Sequence, residues 1–176
     1  MKLATATLVL TMAGPAAAAG LTISSSDFKD DGALPVVHNY PRCGGQNISP
    51  DLRWVNVPAA ARSLVLTMID TTPQPNGWSH WLVVDLAPSS TGLARGIAQL
   101  PPGAKVVGSN FGDAFYDGPC PPPGTGVHRY EFTIWAMPGP ATSIPADSPA
   151  KELSALLAKT ALAHATITGL VAAPPK

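Results

Sequence analysis

Charge is scarce in this chain. Only 12% of the 176 residues are charged, and 11 basic and 11 acidic side chains cancel to a formal charge of zero. That leaves no electrostatic footprint for nucleic acid or for an anionic membrane. The usual catalytic signatures are missing too. There is no G-x-S-x-G elbow, since Ser79 in GWSHW has the wrong flanks, and there is no H-E-x-x-H. Cys43 and Cys120 form no C-x-x-C, and no two histidines stand at helix spacing. Neither a metal nor a cofactor is therefore expected. No internal repeat and no linker interrupts the chain, so a single domain over residues 20–176 is the economical expectation.

Proline and glycine are abundant. The 20 prolines and 16 glycines call for many turns and few helices, while 45% hydrophobic content is enough for a globular core. MKLATATLVLTMAGPAAAAG has the form of a signal peptide over residues 1–19: Lys2, then an apolar run, then small residues before Gly20. The run is too short to span a bilayer. A periplasmic or extracellular destination is the expectation. Export places the two cysteines in an oxidising compartment, where Cys43 and Cys120 are able to pair; two separate buried thiols are the alternative.

Strand patterns dominate. LTISSSDF (21–28) alternates weakly, like an edge strand, and GALPVVHNY (32–40) reads as a proline break followed by an extended run. Leu52 to Val55 is a short strand. Ser63 to Asp70 is apolar on both faces, as is the run through Trp81 to Leu86, which marks central strands covered on both sides. KVVGSN is a further candidate. In VHRYEFTIWAM, His128, Tyr130, Phe132, Ile134 and Ala136 share one face by period two, and Arg129, Glu131, Thr133 and Trp135 share the other. One helix is predicted, Pro149 to Ala163, capped by Ser148, with Leu153, Leu156, Leu157 and Thr160 in one stripe. HATITGLV closes the chain as a strand. Together these predict a mainly β fold of two packed sheets with Greek-key connections and one C-terminal helix.

The loop from Asn110 to Tyr130, NFGDAFYDGPCPPPGTGVHRY, is too rich in glycine and proline to be helical, and it delivers His128 to the start of a strand. Asp70 closes one strand, and His80 lies near the start of another. With antiparallel neighbours all three reach one rim of the sheet. Asp70, His80 and His128 are thus candidates to line a pocket walled by the GPCPPP turn. Imidazoles and turn N–H groups suit a small anion, and imidazole gains charge near neutral pH, so binding is expected to tighten from about pH 8 to about pH 6. A carboxylate fits there if it orients one imidazole, or if the ligand carries an amine. His38 and His164 have no comparable context and are expected to be structural or exposed.

GGQNISPDLRW (44–54), SLVLTMID (63–70), GWSHWLVVDL (77–86), LPPGA (100–104) and the 110–136 segment occur together and in order. That combination resembles the phosphatidylethanolamine-binding proteins, and in particular their bacterial Raf-kinase-inhibitor-like branch. The resemblance implies the family's two-sheet Greek-key β fold with a C-terminal helix. It also implies a ligand pocket for phosphate head groups at Asp70, Trp78, His80, Pro121, Pro122, His128 and Tyr130. One departure stands out. The family's usual DPDAP is DTTPQP here, so the second acidic residue is missing, Thr72 falls near its place, and Arg129 is expected to lose a partner.

The function implied is an exported, non-enzymatic protein that binds a small anion or phospholipid head group, and that inhibits or modulates a protein target whose identity the sequence leaves open. The alternative is a secreted hydrolase or metal-dependent enzyme using the same pocket. A third reading is a protease inhibitor acting through the 110–127 loop.

Overall fold

The structure, a computed structural model, describes residues 20–72, 76–141 and 150–176. The expected signal peptide, the middle of the 71–77 turn, and Ser148 with Pro149 lie outside the described residues. Among the described residues nine strands and one α-helix follow in order: β1 (Thr22–Ser24), β2 (Gly32–Ala33), β3 (Leu52–Val55), β4 (Ser63–Asp70), β5 (Trp78–Leu86), β6 (Gly92–Leu93), β7 (Lys105–Val107), β8 (Val127–Met137), α1 (Ala150–Thr160) and β9 (Ala163–Ala172). β1, β3 and β6 form a small sheet, and the six-stranded sheet runs β2-β9-β8-β4-β5-β7. Within it, β4, β5 and β7 are antiparallel neighbours in turn, and β8 returns after a long excursion to lie beside β4. That order, fourth strand next to first, is a Greek key.

The two sheets share one core. Leu52, Trp54 and Leu93 of the small sheet pack with Leu64, Leu66, Met68, Trp81, Val83, Phe132 and Ile134 of the large one. On the opposite face of the large sheet, Val65, Leu82, Val84 and Trp135 meet Leu153 and Leu157 of α1. This is why β4 is buried at every position: each neighbour in sequence points into a different apolar layer. Two details of the helix differ from the sequence expectation. It ends at Thr160, since β9 begins at Ala163, and Leu156 is exposed, because only one row of leucines fits between the helix and the sheet.

A second difference shapes the site. Residues 36–38, expected to be extended, form a 3₁₀ turn, followed by another at Pro41–Cys43. Side chains rather than a ladder hold this segment. His38 is fully buried and its Nδ1–H donates to the Ile48 carbonyl at 2.6 Å. Asn47, in the left-handed region at φ 56°, donates through Nδ2 to the Tyr116 carbonyl at 2.8 Å. Its Oδ1 accepts from the Gly118 N–H at 2.7 Å. The Tyr116 hydroxyl reaches the His38 carbonyl at 3.1 Å, and the Tyr40 N–H reaches the Pro119 carbonyl at 3.0 Å. Gly118 is required here, because a Cβ would run into the His38 carbonyl oxygen.

Cys43 and Cys120 complete this seam as a disulfide, Cα to Cα 5.4 Å, across a sequence separation of 77. A cross-link over so long a loop stabilises mainly by constraining the unfolded chain, on the order of 4 kcal/mol in the entropic treatment. Thiol titration of the unfolded, unreduced protein is expected to find no free thiol. The Cys43→Ser, Cys120→Ser double variant is expected to lose about 4 kcal/mol in a denaturant titration. Two titratable thiols in the untreated protein would refute the bridge.

Candidate functional site

The site is the polar end of the inter-sheet face. Along β4 the inward side chains run Leu64, Leu66, Met68, and then Asp70. Along β8 they run Ala136, Ile134, Phe132, Tyr130, and then His128. Register pairs Asp70 with Tyr130 on one side and with Trp78 on the other. Three strands thus bring their chemistry-bearing ends to one rim, as the antiparallel reading expects.

His80 reaches the same rim by a different route. In β5, Trp81 and Val83 face the inter-sheet core while Leu82 and Val84 face the helix. Strict alternation would put His80 with Leu82, away from Asp70. The register breaks at this point: Met68 pairs with Trp81 and Ile69 with Ser79, leaving His80 as the extra residue of a bulge. A bulge re-aims one side chain without disturbing the rest of the strand. His80 and Trp81 therefore both belong to the inner side.

These residues line a cavity of about 430 Å³. Asp70, His80, His128 and Tyr130 lie deep, each less than 5% exposed. Pro121, Pro122, Gly118 and Cys120 form one wall, and Tyr40, Trp78 and Phe111 the aromatic rest. Trp78 and Phe111 meet edge to face at 5.7 Å, and Phe111 also meets the His80 ring at 5.1 Å. Sequence reasoning places Asp70, Trp78, His80, Pro121, Pro122, His128 and Tyr130 in this pocket, and the fold brings all seven together. It misses Tyr40, Arg42 and Phe111. Tyr40 and Arg42 arrive through the unexpected 3₁₀ turn, and their one signal was the cysteine beside them.

The two histidines are in different states. The His128 Nδ1–H lies 2.6 Å from the Asp70 carboxylate, which also accepts the Thr72 N–H at 3.0 Å. The other ring nitrogen of His128 contacts Thr125 Oγ1 at 2.8 Å, and Thr125 in turn reaches the Pro122 carbonyl at 2.7 Å. Asp70 therefore orients an imidazole, and that imidazole is His128. His80 instead donates its Nδ1–H to the Asp117 carbonyl at 2.8 Å. Burial lowers its pKa to about 4, against the raising effects of that hydrogen bond and of Asp70. At neutral pH His80 is uncharged, and with Nδ1 protonated its Nε2 is an acceptor. The expectation that His80 supplies positive charge at about pH 6 is corrected: the apolar wall around the ring prevents it. Burial also pushes the Tyr130 hydroxyl well above its ordinary value, aided by the neighbouring Asp70 charge.

The departure at DTTPQP has a local answer. Arg129 finds a partner after all, Asp31, at 2.7 Å, from the turn before β2. Thr72 Oγ1 accepts the Arg129 N–H at 2.8 Å and ties the strand ends together.

Comparison with known proteins decides the family. The sequence pattern described as Phosphatidylethanolamine-binding protein matches residues 24–172. The chain belongs to that family. It is 39% identical over 125 residues to the UPF0098 protein YbhB of Escherichia coli, covering 66% of this chain and 78% of that one. LppC of Mycobacterium tuberculosis, which carries a lipoprotein name, is 36% identical over 153 residues, covering 87% and 73%. The crystal structure of E. coli YbcL, described as a member of the mammalian PEBP family, superposes with a TM-score of 0.78 at 30% identity, covering 90% of this chain and 100% of that one. The mainly β, two-sheet architecture with one helix is that of this family.

A carboxyl pair behind the cavity sets a pH dependence. Burial pushes Asp117 up to about 7, reinforced by a hydrogen bond and charge repulsion from Asp113; the Ser109 hydroxyl, at 3.3 Å, works the other way. A raised carboxyl pKa contributes stability below the unfolded value of about 3.8 and loses it as pH rises through the folded value. His80 has the opposite sign: its contribution is present above about 6.5 and lost as pH falls toward about 4. The two oppose over the same window. Asp117→Asn removes one of them, so its melting temperature relative to the parent is expected to rise from about pH 4.5 to about pH 7. A difference that stays constant or falls across that range would refute the assignment.

Proposed function

We propose that the protein is an exported, non-enzymatic binding protein whose cavity takes a small anion or a phospholipid head group. The observation that carries this is the cavity itself. Its volume, about 430 Å³, lies in the range of small-molecule sites, and its walls are aromatic and proline-rich around a few converging polar groups. The deep end holds acceptors and a fixed imidazole. A zwitterion such as a phosphoethanolamine group satisfies both kinds of partner. Export is supported by the leader-like sequence of residues 1–19, by the Cys43–Cys120 bridge and by the lipoprotein name of LppC. No helix among the described residues is long and apolar enough to cross a membrane. A protein target, inhibited or modulated by the bound or free form, belongs to the same reading.

One observation favours the hydrolase reading. Asp70, His128 and Thr125 stand in orienter, base and hydroxyl order, at 2.6 and 2.8 Å. Against it, the Thr125 hydroxyl also reaches the Pro122 carbonyl, and Thr125 itself is exposed on the turn. Turnover of generic esters that is abolished in Thr125→Ala would establish the hydrolase and overturn the binding-only reading.

Calorimetry with sulfate and phosphate, beside native mass spectrometry of whatever co-purifies, tests the binding reading. His128→Ala is expected to weaken binding, by about 1.5 kcal/mol or more where a charge-assisted hydrogen bond is lost. His80 stays neutral from about pH 6 to about pH 8 and turns an acceptor nitrogen to the cavity, so His80→Ala is expected to leave sulfate affinity little changed at both. Unchanged affinity in His128→Ala would move the site elsewhere.

A further inference from the structure

The deep end of the cavity has few free hydrogen-bond donors to offer an anion. Asp70 is an acceptor, and it takes the Nδ1–H of His128 and the N–H of Thr72. The second nitrogen of His128 is engaged by Thr125. His80 is neutral, with its N–H spent on the Asp117 carbonyl. Tyr130 brings a hydroxyl that stays protonated. A phosphate entering here finds the N–H donors of these groups already engaged.

Among the lining residues one side chain has a permanent positive charge, Arg42. It also lines a second cavity of about 390 Å³, together with Asn39, Cys43, Pro121, Val171, Ala172 and Pro174, so it stands on the partition between the two. The ion pairs of Arg53, Arg95 and Arg129 go to Asp51, Asp27 and Asp31. Arg42 has no carboxylate partner among the described residues. Its backbone is nonetheless held. It is the middle residue of the Pro41–Cys43 turn, which ends at Gly44 in the left-handed region with φ 80°. The next residue is bridged to Cys120, directly before the Pro121–Pro122 wall. A guanidinium on an exposed side chain, rooted in a cross-linked turn and facing an aromatic cavity, is suited to paired hydrogen bonds with phosphate oxygens.

We propose that Arg42 is the anion anchor of the cavity and the residue that selects phosphate esters. This rests on the reading of the cavity as a phosphate-binding site. The head group of a lipid and a free phosphate ester share the chemistry that Arg42 recognises.

The test is calorimetry of the mature protein with inorganic phosphate and with phosphoethanolamine, at low salt. Arg42→Gln is expected to weaken both about tenfold or more, Arg42→Lys to recover part of the loss, and the charge-matched Arg129→Gln to bind like the parent. Vesicles of equal parts phosphatidylethanolamine and phosphatidylcholine, set against phosphatidylcholine alone, separate the sources. Co-sedimentation that depends on Arg42 assigns a lipid head group, and Arg42-dependent binding of the soluble ester alone assigns a free ester. If the parent binds phosphate and Arg42→Gln binds it equally well, or loses no more than Arg129→Gln, the anchor is refuted and the cavity reading stands. If the parent binds neither phosphate nor phosphoethanolamine, both fall.

Discussion

A carboxyl group buried at the end of a central strand has to be compensated, and the compensation of Asp70 organises the rim of this fold. It is 3% exposed, beyond the reach of bulk water. Its partners come from elements far apart in sequence: the N–H of Thr72, just past its own strand, and the imidazole of His128 on β8. Tyr130, its register partner, is buried alongside it. Each contact also positions what it touches. Thr72, drawn in by Asp70, holds the Arg129 N–H, and His128, fixed by Asp70, holds Thr125 and through it the Pro122 turn. Apolar packing builds the sandwich, but the shape of its open end follows from one acceptor that must be satisfied.

Much of this was legible in the residues. The strand from Ser63 to Asp70, apolar on both faces, could be buried only between two layers, and the two layers are there. Period-two alternation in β8 sorted Phe132 and Ile134 from Trp135 onto the faces they occupy. The polar residues at strand ends marked the rim, since antiparallel pairing leaves them nowhere else to converge. The motif combination then carried the family, which the match over residues 24–172 shows.

What was not legible came from interactions with no local pattern. The turn at Val36–His38 looks extended by composition; it is tertiary contacts, His38 to Ile48 and Tyr116 to His38, that wind it. Arg42 and Tyr40 entered the cavity with it. The protonation of His80 depends on how completely its ring is enclosed, which no spacing in a sequence expresses. Likewise the partner of Arg129, Asp31, lies 98 residues away and could not be counted to.

The bulge in β5 makes the site a matter of counting as well as of chemistry. From Trp81 to Val83 the strand keeps time with β4, and everything before it runs one beat late; a second register shift lies at the far end, between Leu66 and Leu64. Trp78 and His80 owe their side of the sheet to that single extra residue. The cavity could thus lose its imidazole with His80 still in the chain. A one-residue deletion between Gly77 and Trp81 would return the strand to regular alternation and reassign its leading residues to opposite faces. The length of the lead-in to Trp81 thus shapes the pocket as much as the identity of its residues.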